Sequence, residues 1–160
     1  MFTMRQSEHN VVVAVQREPG TEDLPLPSYA TPGSAGMDLY AALPVDGPQT
    51  LKPGERILVS TGILIAVPPG YEGQIRARSG LAHRHGIAMV NSPGTIDSDY
   101  RGVVMALLIN LGQEPVTLRR GDRIAQLVIA PIARAEWDLT QGFDKTERGA
   151  GGFGSTGVGA

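Results

Sequence analysis

The sequence predicts an all-β domain, an antiparallel sandwich or barrel, on three observations. Its 21 glycines and 12 prolines fall at short intervals, so no stretch between them is long. The runs they bound are brief and rich in branched aliphatic side chains, which suit a pleated, half-buried surface. No run sustains a 3.6-residue apolar period beyond about three turns, and this disfavours a helical fold. The 160 residues give room for one well-packed domain and too little for two.

In chain order the expected strands cover residues 11–15, 57–67, 87–90, 103–111 and 124–132. Turn formers separate them: Lys52-Pro53-Gly54, Pro68-Pro69-Gly70, Leu111-Gly112-Gln113 and Arg120-Gly121-Asp122. Residues 79–85 are the best candidate for a brief helical turn. Residues 20–34 form a Pro/Ser-rich entry loop, and no repeat or linker divides the chain. Trp137 is expected in the core or at an interface.

Composition narrows the function classes. A net charge of -2 argues against broad adhesion to nucleic acid, so an anionic partner must be held by local arginines. The chain has no cysteine, which removes disulfides and thiolate metal sites. No apolar run approaches the ~18 residues of a membrane helix. The opening MFTMRQSEHN lacks the charged-then-apolar pattern of a signal peptide. A cytoplasmic protein that binds neither membrane nor nucleic acid is expected.

The closing stretch RGAGGFGSTGVGA, residues 148–160, has the spacing of a phosphate-binding glycine loop. Yet such loops lead into a helix, and only four residues follow Thr156. Six glycines in the twelve positions 149–160 leave a segment that cannot hold one conformation unaided. It is a frayed terminus or a mobile arm that closes over a ligand; the Phe153 ring favours the arm.

The densest constellation is NSPGTIDSDYRG, residues 91–102. Pro93-Gly94 signals a hairpin, flanked by Asn91 and Asp97, whose free backbone groups could pair with a flat polar ligand edge. Asp97 either caps that turn or serves as a general base for water. In RARSGLA, Arg78 offers a planar donor fork, Ser79 a hydroxyl and Gly80 exposed amides, a set suited to an anion as well as to an ordinary turn. Asp38, in the apolar AGMDLYA, is an edge position or an anchor for magnesium-bound water. Gln126 sits among apolar residues in GDRIAQLV, where its amide must find a partner. His83 and His85 find no convincing third ligand for zinc.

These five segments, in order, resemble the motifs of the trimeric deoxyuridine triphosphatase (dUTPase) family, over about residues 24–156. The resemblance implies a jelly-roll-like β-barrel of the β-clip type over residues 1–148, with residues 149–160 as an arm reaching a neighbouring subunit's site. It implies a homotrimer that hydrolyses dUTP to dUMP and pyrophosphate with Mg²⁺, supplying dUMP for thymidine nucleotides and keeping uracil out of DNA. Carried over residue by residue, Asp97 would activate the water and contact the ribose. Asn91 and the backbone of Gly94, Thr95 and Ile96 would read uracil, Tyr100 would pack under the deoxyribose, and Met105 would line the site. Arg78, Ser79, Gly80 and Gln126 would hold phosphates, and Asp38 would touch the metal through water. From the arm, Arg148 would grip phosphates, Phe153 would cover the base, and Gly154, Ser155 and Thr156 would bind the terminal phosphate. The related dCTP deaminases and a purely regulatory nucleotide-binding protein are the alternatives. The intact arm and Asp97 favour hydrolysis.

Overall fold

The computed structural model describes residues 10–152. In chain order it contains β1 (Ala14–Arg17), β2 (Met37–Tyr40), β3 (Gln49–Leu51), β4 (Arg56–Ala66), β5 (Tyr71–Ala77) and helix α1 (Ser79–His85). Then come β6 (Ile87–Met89), β7 (Gly94–Ile96), β8 (Val103–Asn110), β9 (Val116–Leu118) and β10 (Arg123–Pro131). The mostly-β expectation holds, and helix α1 lies where the sequence placed it.

The strands form a four-stranded sheet β1-β4-β8-β6, a second four-stranded sheet β2-β10-β5-β7, and the pair β3-β9. Among the described residues these ladders are open sheets packed around one core, the double-sheet arrangement of a jelly-roll-like fold. In the first sheet the pairing of β4 with β8 shifts register between Ser60 and Leu64. Gly62 sits in that shift at φ 72°, and a Cβ there would come within 3.0 Å of Thr21. The β4 chain therefore bends where only glycine fits.

Alternation decides what each sheet buries. Val104, Ala106 and Leu108 of β8 lie beside Val59, Ile63 and Ile65 of the neighbouring β4, and from the other sheet Leu39, Ile75, Ile96 and Leu127 complete the same core. Asn110, fully buried at the end of β8, donates to Leu51 O at 2.9 Å and Glu114 O at 2.8 Å, and its Oδ1 accepts from Gly112 N at 2.8 Å. Its amide thus ties β3 to the β8–β9 turn with every group paired. The other face of β8, made of Val103, Met105, Leu107 and Ile109, is aliphatic yet only half-buried. Trp137 does not enter the core: after β10 every residue from 132 to 150 is exposed, Trp137 by 96%. No helix among the described residues is long and apolar enough to cross a membrane.

Arg120 fastens the entry loop. It donates to both carboxylate oxygens of Asp23, at 2.6 and 2.9 Å, and to the carbonyls of Leu43 at 2.8 Å and Gly20 at 2.7 Å. The hydrogen bond from Arg120 holds the Asp23 carboxyl below its ordinary range. A lowered folded-state pKa stabilises fully above the unfolded value of about 3.9, and that contribution is lost as pH falls through the folded value. Asp23→Asn should therefore flatten the fall in stability below about pH 4 and change little at pH 7 beyond the lost ion pair. Urea unfolding followed across that pH range would show it.

Candidate active site

Strands β2, β10 and β5 run side by side, and their register sets Asp38 opposite Gln126 and Gln126 opposite Arg76. Although β2 is an edge strand, Asp38 is only 6% exposed. A carboxylate so far from water must be paired. Its Oδ1 accepts from Arg78 Nε at 3.0 Å and from Gln126 Nε2 at 3.4 Å, while Oδ2 accepts from Arg123 Nη1 at 3.2 Å. Arg78 also donates from Nη1 to Arg123 O at 3.2 Å. Gln126 thus finds the partner its apolar setting demands, and three of the sequence-derived candidates meet at one point.

Arg123 was not among those candidates. The β10–β2 pairing shifts register between Arg123 and Ala125. In an unbroken strand Arg123 would share the inward face of Ala125; the bulge turns it toward Asp38. The sequence trace of this is slight: Ile124 and Ala125 are successive and both buried, which breaks the alternation.

Arg78 is also the N-cap of α1, so Ser79 and Gly80 begin the helix with amides that have no intrahelical acceptor. At the other end Gly86 closes the helix at φ 69°, and its carbonyl accepts from Leu111 N at 2.9 Å. A Cβ on Gly86 would collide with the backbone of Gly112, so α1 is seated directly against the β8–β9 turn. Between α1 and β9–β10 opens a cavity of about 460 Å³ whose lining includes Arg78, Leu81, His85, Val116, Asp122 and Arg123.

The segment 91–102 differs from expectation. β6 pairs with β8 in one sheet and β7 pairs with β5 in the other, so the bend at Ser92-Pro93 carries the chain between sheets and is not a paired hairpin. Gly94 is buried, and a Cβ there would lie 3.0 Å from Asn91 Nδ2, so the Asn91 amide rests closely over it. Ile96 is buried, while Thr95 and Asp97 are exposed. The Tyr100 ring lies against Gly102, and its hydroxyl donates to Val103 O at 3.0 Å. Met105 sits opposite Ser60 on the half-buried face of β8.

One chain does not bring the two groups together. Ile96 pairs with Gly73, so Asp97 starts level with Glu72, whereas Arg78 follows the other end of β5. At ~3.3 Å per residue the stretch from Glu72 to Arg78 spans roughly 20 Å. Arg148 is exposed, and its Nε donates to Gly151 O at 2.9 Å. Phe153, Gly154, Ser155 and Thr156 lie outside the described residues.

The dUTPase family model matches residues 22–157, through all five segments. This chain belongs to the dUTPase family. It is 55% identical over 150 residues to a deoxyuridine 5'-triphosphate nucleotidohydrolase of Methylocella silvestris, with 94% of each chain covered. It is 60% identical over 142 residues to one of Rhizobium meliloti, with 89% of each covered. Among solved structures, a mutant dUTPase of Staphylococcus bacteriophage 80alpha with dUpNHpp superposes with a TM-score of 0.78 at 25% identity, covering 92% of this chain and 99% of that one. The dUTPase sheet arrangement thus extends over nearly the whole chain.

The Asp38 cluster makes an asymmetric demand on stability. Arg78→Met leaves the buried carboxylate with Arg123 and the longer Gln126 contact and should cost about 2–3 kcal/mol. Asp38→Asn leaves guanidiniums that are already 24% and 53% exposed and can turn to water, so it should cost only about 1 kcal/mol. Urea midpoints at unchanged m would order the two variants.

Proposed function

We propose that the chain hydrolyses dUTP to dUMP and pyrophosphate as a homotrimer, in sites shared between subunits. The observation that carries the shared site is the separation along β5: the Asp97 segment and the Arg78 cluster lie at opposite ends of one strand. A site using both is completed by a second copy. A surface for that copy is on hand. Every residue of β8 up to Ile109 is apolar, the pattern of a strand covered on both sides, and its outer Leu107 pairs with Leu58, which is 56% exposed.

In this reading uracil enters the bend at Ser92-Pro93, where the Asn91 amide and the backbone of Gly94, Thr95 and Ile96 pair with its polar edge. A pocket bounded by backbone resists the extra methyl of thymine better than yielding side chains do. The Tyr100 ring supports the deoxyribose and crowds out a 2′-hydroxyl. Asp97, exposed at the end of β7, accepts a proton from water as its oxygen attacks the α-phosphorus. The α–β bridging P–O bond then breaks and pyrophosphate leaves. Phosphoryl chemistry rests on positioning and charge stabilisation. Arg78, the Ser79 and Gly80 amides and Gln126 supply these from one subunit. The 149–160 arm, with Arg148, Phe153, Gly154, Ser155 and Thr156, supplies them from another.

The residues suit a magnesium ion that arrives with the triphosphate. Both Asp38 oxygens are already in ion pairs, and two guanidiniums stand beside them. That fits a water-mediated contact and not direct ligation. Mg²⁺ bound to the phosphates would draw off negative charge; the proton transfer and the base recognition belong to the protein.

Pyrophosphate release measured side by side with dUTP, dTTP, dCTP and UTP tests the reading: dUTP alone should turn over rapidly. Ammonia from dCTP would select a deaminase instead. Asp97→Asn should still bind dUpNHpp while its turnover drops by about 10²–10⁴-fold. A wild-type rate would require another base. Leu107→Glu places a charge on the outer face of β8 and should yield monomers with at least roughly tenfold less turnover. Sedimentation and assay on one preparation decide it; an active trimer would move the interface elsewhere.

A further inference from the structure

Helix α1 carries Ser79 and Gly80 but has little of its own to fix its position. It is seven residues long, none of them buried, and Leu81 packs only partly against the core. A helix this short is marginal without tertiary support. It is held at its two ends: Arg78 fastens the start to Asp38, and Gly86 meets the β8–β9 turn at the finish. There the two backbones touch. Leu111 N donates to Gly86 O at 2.9 Å, and a Cβ on Gly112 would strike His85 O. With glycine on both sides of the contact, no side chain stands between the helix end and the turn.

Asn110 gives that turn its shape from behind. Its Oδ1 accepts from Gly112 N, the bond of an Asx turn, while Nδ2 donates to the carbonyls of Leu51 and Glu114. Its own backbone is locked as well: Asn110 N donates to Glu55 O at 3.0 Å, and Asn110 O accepts from Gly54 N at 2.7 Å. We infer that Asn110 is a positioning residue for the reaction. Through Gly112 and Gly86 it sets the seat of α1, and so the place of the Ser79 and Gly80 amides at the far end of the helix. The inference deepens the proposed dUTP reading and rests on it. Seven helical residues make a stiff rod of about 10 Å, so a shift at His85 is carried to Ser79. Positioning dominates this chemistry, and an error of about 1 Å can cost roughly 10²-fold in rate.

Asn110→Asp keeps the shape and the acceptor for Gly112 N, but it sets an oxygen against the carbonyls of Leu51 and Glu114, so the turn must move. Turnover of dUTP should fall by about tenfold to a hundredfold, while deoxyuridine, which has no phosphate, should bind within about twofold of wild type. Hydrogen exchange at the α1 amides should quicken. Ile63→Ala, a core truncation beside β1, is the control for lost stability. Assayed well below its unfolding midpoint, it should keep turnover within about twofold and leave exchange in α1 unchanged. Undiminished turnover in Asn110→Asp, an equal loss in Ile63→Ala, or an equal loss of deoxyuridine affinity would overturn the role of Asn110. A wild type that leaves dUTP intact would instead overturn the dUTP reading, and the exchange comparison would still test the seat of α1. Should Asn110→Asp not fold, Gly112→Ala, which presses on His85 O with Asn110 in place, carries the same comparison.

Discussion

The Asp38 carboxylate, buried between Arg78 and Arg123, is the interaction on which the candidate site depends. Burying one charge obliges the fold to bring cations to it, and each cation comes from a different place. Arg78 is the residue at which β5 becomes α1, so its attachment also sets where the helix begins and where the Ser79 and Gly80 amides point. Arg123 opens β10 behind a bulge, and Gln126 crosses from the same strand. A single acidic side chain thereby fixes the mutual placement of β2, β5, β10 and α1.

The second constraint is the length of β5. A strand is a stiff ruler, and its two ends carry different chemistry. At one end lies the exposed Asp97 with the Asn91–Gly94 contact; at the other lie the guanidiniums. The distance between them, roughly 20 Å, suits cooperation between copies better than within a chain. The unbroken aliphatic run of β8 fits the same picture, because an outer face of valine, methionine, leucine and isoleucine is the composition of a covered strand.

Much of the candidate site can be proposed from the sequence because its residues cluster in local segments. Asn91, Gly94, Asp97 and Tyr100 fall within a dozen positions, and Arg78 directly precedes the one helical turn that the sequence marks. What escaped depends on partners far along the chain. The Pro93-Gly94 turn signal was read as a hairpin, but the flanking strands find stronger partners in β8 and β5, and so join opposite sheets. Trp137 was expected in the core or at an interface; the chain leaves the second sheet after Pro131, before reaching it, so the core half of that expectation fails. Arg123 drew no expectation from the sequence, since the register shift that reverses its side chain's direction shows only in the pairing with β2.

The sequence by itself determined the β class and the positions of most turns and of helix α1. Those follow from local causes: glycine and proline set backbone angles, and alternation sets faces. Only the tertiary structure decided that Asp38 is a buried, doubly paired anion, that Arg123 joins it, and that Asp97 stands far from both. Each of these is a matter of strand order and register, which arise from pairing between distant segments and leave almost no mark on any one of them.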